Sequence, residues 1–411
     1  MEYFVFLVRY TNKTAFFSYV AFINKEFMTH PMPSAINHEL IREYWPALNS
    51  MLYLNTASTG VPSQPVVQAA NEYMVKRSEG RWSYTDTDSL YTDVKLHLSN
   101  LLGGDPLDYA FVPSTSAGMN SFGHGISYPD NANIVICDLE FPSNFLPWQN
   151  IERLYGVELR VVESVEGSAP VESFAELIDK DTTIVAVSHV QFGSGYRSDL
   201  KTLAEAVHEH GGFLVADIIQ SAGWADFDLV KENVDFAAGQ ATKWLCGPIG
   251  AGYAYVSARV REILQPRFIG WHSVKNHRDF SYGRKEFRED AGMLEGGSPP
   301  LVAYAGFNKA LEIVQCFSDK ARERKALSNA VHLKKRLDES GLDYYDFDEA
   351  YSSPIVSCKY DQAAELEIQL REQRIFCSAR HGRLRISPSF YNTTEEIDRF
   401  VDIIVEKQRS R

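Results

Sequence analysis

The stretch Phe213-Leu-Val-Ala-Asp217-Ile-Ile-Gln220, followed by Val234-Asp-Phe-Ala-Ala-Gly-Gln-Ala-Thr242-Lys243-Trp-Leu-Cys-Gly-Pro-Ile-Gly-Ala-Gly-Tyr, decides how this chain is read. Its first apolar run is short, preceded by Gly211-Gly212 and closed by an acid, which is the pattern of a fully buried strand with a carboxylate at its C-terminal end. Open α/β sheets place their ligands at that end. The second run leads into a lysine set among small and apolar residues. A lysine in such surroundings gives up its proton readily and serves as an amine nucleophile.

An acid at one strand end and a desolvated lysine past another are what pyridoxal 5′-phosphate (PLP) chemistry requires. The acid holds the pyridine nitrogen protonated, and the lysine forms a Schiff base with the aldehyde. Taken singly, Asp217 also reads as a turn cap and Lys243 as a surface residue; their order and the Gly-Pro-x-Gly-x-Gly run after the lysine favour the functional reading. The pattern D-x-x-Q…K-W-L-C-G-P-x-G-x-G-Y resembles the class V aminotransferase group of fold-type I PLP enzymes, which includes cysteine desulfurases, selenocysteine lyases, kynureninase and isopenicillin N epimerase. By that resemblance Asp217 holds the pyridine nitrogen, Gln220 lies by O3′, Lys243 is the Schiff-base residue, and Thr242 is the cofactor-side residue beside it.

The resemblance runs from about Tyr53 to the C-terminal helix. Tyr53-Leu-Asn-Thr-Ala-Ser-Thr-Gly is similar to the family's Y-L-N-x-A-x-x-G, which puts Asn55 at the substrate carboxylate; a plain Asx or Ser/Thr turn is the alternative. Pro113-Ser-Thr-Ser-Ala-Gly-Met-Asn turns a strand into a helix, and such a junction offers amides and a helix N-terminus to a phosphate. Thr115, Ser116 and Asn120 match the family there, whereas Ala117 replaces its acid. Leu139-Glu-Phe-Pro-Ser makes Phe141 the residue that stacks on the pyridine ring. His189 reads as a structural histidine, because Lys243 supplies the proton shuttle. Gly270-Trp-His-Ser resembles the G-W-x-S element and puts Trp271 in the substrate pocket wall. Glu295-Gly-Gly-Ser-Pro-Pro resembles E-x-G-T-P-N, in which the hydroxyl, here Ser298, reaches the phosphate of a neighbouring subunit; a homodimer with shared active sites is implied. Arg385-Ile-Ser-Pro-Ser-Phe-Tyr-Asn-Thr matches the C-terminal signature, whose arginine grips the substrate α-carboxylate in a planar two-point contact.

The fold this implies is α/β: a large domain with a mostly parallel seven-stranded sheet and a smaller C-terminal α/β domain. The divisions are 1–50, an N-terminal extension and a helix packing on the small domain; 51–300, the PLP-binding domain; and 301–411, the small domain. A length of 411 residues with 45% hydrophobic content accommodates this. The net charge of −13 argues against nucleic acid or an anionic membrane as partner. Five cysteines, scattered and without a C-x-x-C pair, argue against a disulfide framework and against a metal site, and a reducing cytoplasm is the default. The aromatic stretch 1–27 is interrupted by Arg9 and Lys13, so no membrane anchor is expected, and Met28 or Met32 is the favoured start.

Two departures bear on chemistry. Only Ser-Ala-Arg-His-Gly-Arg-Leu separates Cys377 from Arg385, with no cysteine where desulfurases carry the persulfide-forming one. Thr242 and Gln240 also stand where those enzymes have histidine and serine. The expected activity is therefore that of a PLP enzyme acting on an α-amino acid, as an aminotransferase or a C–S lyase. An epimerase of the isopenicillin N type, or a PLP-fold binding protein without activity, is the alternative.

Overall fold

In a computed structural model, residues 36–409 are described; the aromatic stretch and the two candidate start methionines lie outside them. Helix α1 (His38–Tyr44) begins where the Asn37 side chain accepts from the amides of Glu39 and Leu40. After strand β1 (Leu52–Tyr53) come α2 (Gln64–Ser78) and α3 (Tyr84–Leu102), the latter opened by a reciprocal Ser83–Asp86 capping box.

Then follow β2 (Tyr109–Val112), α4 (Thr115–Gly123), β3 (Asn133–Cys137), α5 (Pro142–Tyr155), β4 (Glu158–Val162), β5 (Thr182–Ser188), α6 (Leu200–His208), β6 (Phe213–Asp217), β7 (Phe236–Gln240) and β8 (Gly252–Val256). These strands form a seven-stranded sheet in the order β2-β8-β7-β6-β5-β3-β4. All its pairings are parallel except the two made by β8. Runs such as Ile134-Val-Ile and Leu214-Val-Ala are buried on both faces, as the helices on either side require.

Beyond the sheet lie α7 (Leu301–Gln315) and α8 (Asp319–Glu339). Tyr304, Phe307 and Leu311 of α7 belong to the core of the large sheet, and the Tyr304 hydroxyl donates to Gly252 O at 2.6 Å. Thus α7 joins the large unit, although the division drawn from sequence at 300 precedes it. The remaining elements are β9 (Val356–Lys359), α9 (Ala363–Glu372), β10 (Ile375–Phe376), β11 (Ser378–Arg380), β12 (Arg383–Ile386) and α10 (Thr394–Arg409). They share a separate core in which Leu333, Leu366, Leu384, Phe400 and Ile404 are buried.

The chain crosses between the two cores at the segment that matters for the site. β1 pairs in parallel with β10, and Asn55 bridges to Ser387, so residues 55–60 are held against the small sheet while facing the C-terminal ends of the large one.

Candidate functional site

Asp217 ends β6 between Ser188 of β5 and Ala238 of β7, and is 1% exposed. Its Oδ1 accepts from the Ile219 amide at 3.0 Å. Burial pushes its pKa up, while the Ile219 amide and the Lys243 charge pull it back. A second buried acid, Glu140, sits just behind it. Its carboxylate accepts from the Ser188 amide (2.7 Å), Asn144 Nδ2 (2.8 Å) and Gln191 Nε2 (2.7 Å). These bonds tie the ends of β3 and β5 together beside Asp217.

Lys243 follows β7 through a turn in which Cys246 N donates to Lys243 O at 3.0 Å. Burial lowers the pKa of its ammonium, Asp217 opposes this, and Arg385 and Arg380 add to it. Nζ lies 5.6 Å from the centroid of the Phe141 ring. Gly60 N donates to Thr242 O at 2.7 Å, so the 55–60 segment lies directly on the lysine turn. A Cβ added at Gly60 would stand 1.9 Å from Lys243 O. Gly60→Ala is therefore expected to displace the lysine backbone, at a cost of roughly 1–3 kcal/mol in stability. Thermal melting and the visible absorbance of PLP-treated protein check this, and an unchanged melt with full colour would contradict it.

Gln220 is also placed here. Its Nε2 donates to Ala57 O at 3.0 Å and its Oε1 accepts from Trp244 Nε1 at 2.9 Å, which links the 55–60 segment to the residue after Lys243.

The strand-to-helix junction after β2 supplies an anion cradle. Ser114 caps α4 by accepting from Ala117 N at 3.2 Å, which leaves the amides of the first turn pointing outward. The Thr115 hydroxyl is buried and has no partner among the described residues. Ser116 Oγ lies 2.9 Å from Ser143 Oγ, which brings the N-terminus of α4 against that of α5, whose N-cap is Phe141. Two like-oriented helix ends and an orphaned hydroxyl suit a phosphate, a buried acid suits a pyridine nitrogen, and a desolvated amine above an aromatic ring suits an aldehyde. The residues present fit PLP.

Arg385 of β12 is 2% exposed. Its Nε donates to Ser378 Oγ (3.2 Å), Nη1 to Phe192 O (2.7 Å) and Nη2 to the Ser58 hydroxyl. Each of these acceptors is neutral. Burial and then Arg380 lower its pKa, but a guanidinium keeps its charge at neutral pH. A buried cation without a carboxylate is costly unless a ligand brings one. Asn55 is also buried there, and its Oδ1 has no partner among the described residues.

Two expected residues lie elsewhere. Ser298 is exposed and lines a cavity of about 510 Å³ with Ala117, Asn120, Ser121 and Phe268; neither Asp217, Lys243 nor Arg385 borders it. Trp271 packs on His272, ring centroids 3.9 Å apart, beside Gly297. His189 is buried, held neutral by desolvation and then by Arg197, and stacks edge-on with Phe227 at 4.6 Å. Cys377 is buried in front of β11, and burial raises its thiol pKa strongly.

Glu140, Ser58 and Arg380 were not singled out from sequence. Glu140 stood in the quoted Glu-Phe-Pro-Ser, but its network draws on Ser188 and Gln191, about fifty residues away.

A family model described as Aminotransferase class-V matches residues 52–400. An uncharacterized aminotransferase, YcbU, of Bacillus subtilis (strain 168) is 24% identical over 90% of this chain and 98% of its own length. A probable cysteine desulfurase of Methanothermobacter thermautotrophicus is 24% identical over 87% of this chain and 95% of its own. Among solved structures, the apo cysteine desulfurase from Thermococcus onnurineus NA1 superposes with a TM-score of 0.83 at 22% identity, covering 93% of this chain and 100% of that one. The cystine C–S lyase C-DES, in complex with cysteine persulfide, gives 0.81 at 20% identity, covering 88% and 99%.

Proposed function

Because this chain belongs to the class V aminotransferase family and is a PLP-dependent enzyme, we propose that it acts on an α-amino acid as an aminotransferase or a lyase that cleaves a β carbon–sulfur bond. The observation that carries this reading is the convergence around one junction of the buried Asp217, the desolvated Lys243 and Arg385, which no carboxylate pairs with among the described residues. An epimerase is not favoured, since the relatives named above are aminotransferases, desulfurases or a C–S lyase.

When bound, PLP supplies an electron sink that acidifies the Cα proton of an amino acid. The residues divide the remaining work. Thr115, Ser116 and the first-turn amides of α4 would receive the phosphate, and Phe141 would stack on the ring. Asp217 keeps a proton on the pyridine nitrogen, while Gln220, oriented by Ala57 and Trp244, offers its second N–H beside the ring oxygen. Thr242 lines the lysine turn. Lys243 would hold the cofactor, and its desolvated amine is placed to take up and return the substrate's Cα proton. Arg385, with Asn55, receives the α-carboxylate.

Persulfide chemistry is disfavoured by the geometry of the hairpin: β11 and β12 are joined by His381-Gly382 alone, and Cys377, the thiol beside it, is buried. A homodimer is supported by the open cavity at Ser298 and by the exposed Phe268, Ile269, Phe280 and Phe287 near it. In that reading Ser298 and Trp271 serve the neighbouring subunit's site. A cytoplasmic location is supported by five unpaired cysteines. Among the described residues no helix is long and apolar enough to cross a membrane.

The test is incubation of the yellow protein with a panel of amino acids and thiol conjugates, followed by analysis for keto acid and for pyruvate with sulfide. Release of alanine with a protein-bound persulfide, or inverted stereochemistry as the sole product, would overturn the reading. Arg385→Gln is expected to raise KM by about a hundredfold with a smaller change in kcat, since it removes binding rather than proton transfer. Steady-state kinetics on the preferred amino acid checks this.

A further inference from the structure

The hairpin that carries Arg385 carries two more arginines on the same face. Ser378 pairs with Arg385 and Arg380 with Arg383, and alternation along each strand puts all four side chains on one side of the sheet. The turn is His381-Gly382, with φ of 50° and 73°. Two successive left-handed residues form the tight connection whose twist matches the strands, so the register of Arg380 against Arg383 is rigidly set.

Like charges directly opposite on a strand pair repel. Arg383 has an outlet: its guanidinium lies 3.8 Å from the Tyr345 ring centroid and donates to Ser357 O at 3.0 Å. Arg380 has little. Its Nη1 reaches the carbonyl of the adjacent Ala379 at 2.6 Å, and its Nη2 lies 3.5 Å from Ser58 Oγ, the hydroxyl that also receives Arg385. None of the three arginines is in an ion pair with a carboxylate among the described residues.

Arg380 also faces the reacting end of the site. Its charge acts on both Lys243 and Arg385. The neighbouring His381 ring meets Phe192 at 5.6 Å, and Phe192 meets Phe141 edge-on at 5.0 Å, so the hairpin tip closes over the ring that lies under Lys243. The site thus presents two guanidiniums around one serine. An α-carboxylate neutralises one of them.

We propose that Arg380 is a second anion-binding residue, specific for an acidic group on the substrate side chain, which makes the substrate class α-amino acids with an anionic side chain such as dicarboxylic amino acids. This rests on the assignment of Arg385 to the α-carboxylate. Because both guanidiniums reach the same Ser58 hydroxyl, the two acidic groups must be only a few bonds apart. Neutral and basic amino acids leave Arg380 without its counter-charge.

The test needs no turnover. Succinate and butyrate, a dianion and a monoanion of equal carbon number, are titrated by calorimetry into the purified protein as isolated. The expected result is tighter binding of succinate by about tenfold or more, a ratio lost in Arg380→Gln with butyrate affinity little changed and partly restored in Arg380→Lys. Arg385→Gln should weaken both ligands. Equal affinities in the unsubstituted protein, or an Arg380→Gln variant that loses both ligands in proportion, would overturn the proposal. Failure of the wider functional reading is seen separately, as protein that takes up no PLP colour.

Discussion

Lys243→Ala is expected to abolish turnover of every amino acid the protein accepts, a loss of about three orders of magnitude or more, because in the proposed reading one amine both tethers the cofactor and moves the substrate proton. The surroundings of Lys243 argue that no other group can substitute. Its amine is desolvated, so that it is readily available in the neutral form, and it stands over the Phe141 ring at 5.6 Å. The buried His189, whose amide donates to Asp217 O at 2.9 Å, is held by Arg197 and Phe227 and has its protonated form disfavoured. The turn that carries the lysine is fixed by backbone bonds from Gly60 and Cys246, which alanine leaves intact. The variant should therefore fold with an unchanged melting temperature and still bind PLP noncovalently, colour that gel filtration then removes. A variant that retains turnover within tenfold of the parent would show that another base serves.

Asp217→Asn should be the second large effect and should separate catalysis from stability. The side chain keeps its size but cannot hold a proton on the pyridine nitrogen, so kcat is expected to fall by about a thousandfold. Stability should move the other way. The folded-state pKa of Asp217 is raised by burial, so its ionised form costs the fold free energy at neutral pH, a cost that an amide relieves. The cofactor-free variant should accordingly melt at the same temperature or higher at pH 7. A lower melting temperature with undiminished kcat would mean that the carboxylate is structural.

The candidate residues stood out in the sequence where they lay at strand ends. Asp217 and Lys243 announced themselves because a buried run that closes on a charged residue has few structural reasons to do so. The seven-stranded, mostly parallel sheet followed from the family resemblance, and the strand order bears it out. What could not be read was whatever depends on register or on distant partners. That Arg380 shares a face with Arg385 requires the two-residue turn at His381-Gly382; a shift of one residue would send it to the other side. The Glu140 network and the double engagement of Gln220 join residues from separate elements, for which a single chain carries no periodic signal. The helical stretch from about 302 carries no sequence signal for which core it joins, and only packing places Tyr304 and Phe307 in the large one.

The central claim is that PLP is held covalently by Lys243 and by no other amine. Borohydride reduction of the PLP-loaded protein, followed by proteolysis and mass spectrometry, tests it directly. Loss of the visible absorbance and a pyridoxyl group on the peptide that contains Lys243 alone are expected. A pyridoxyl group on a different lysine, or a loaded protein with none, would contradict it.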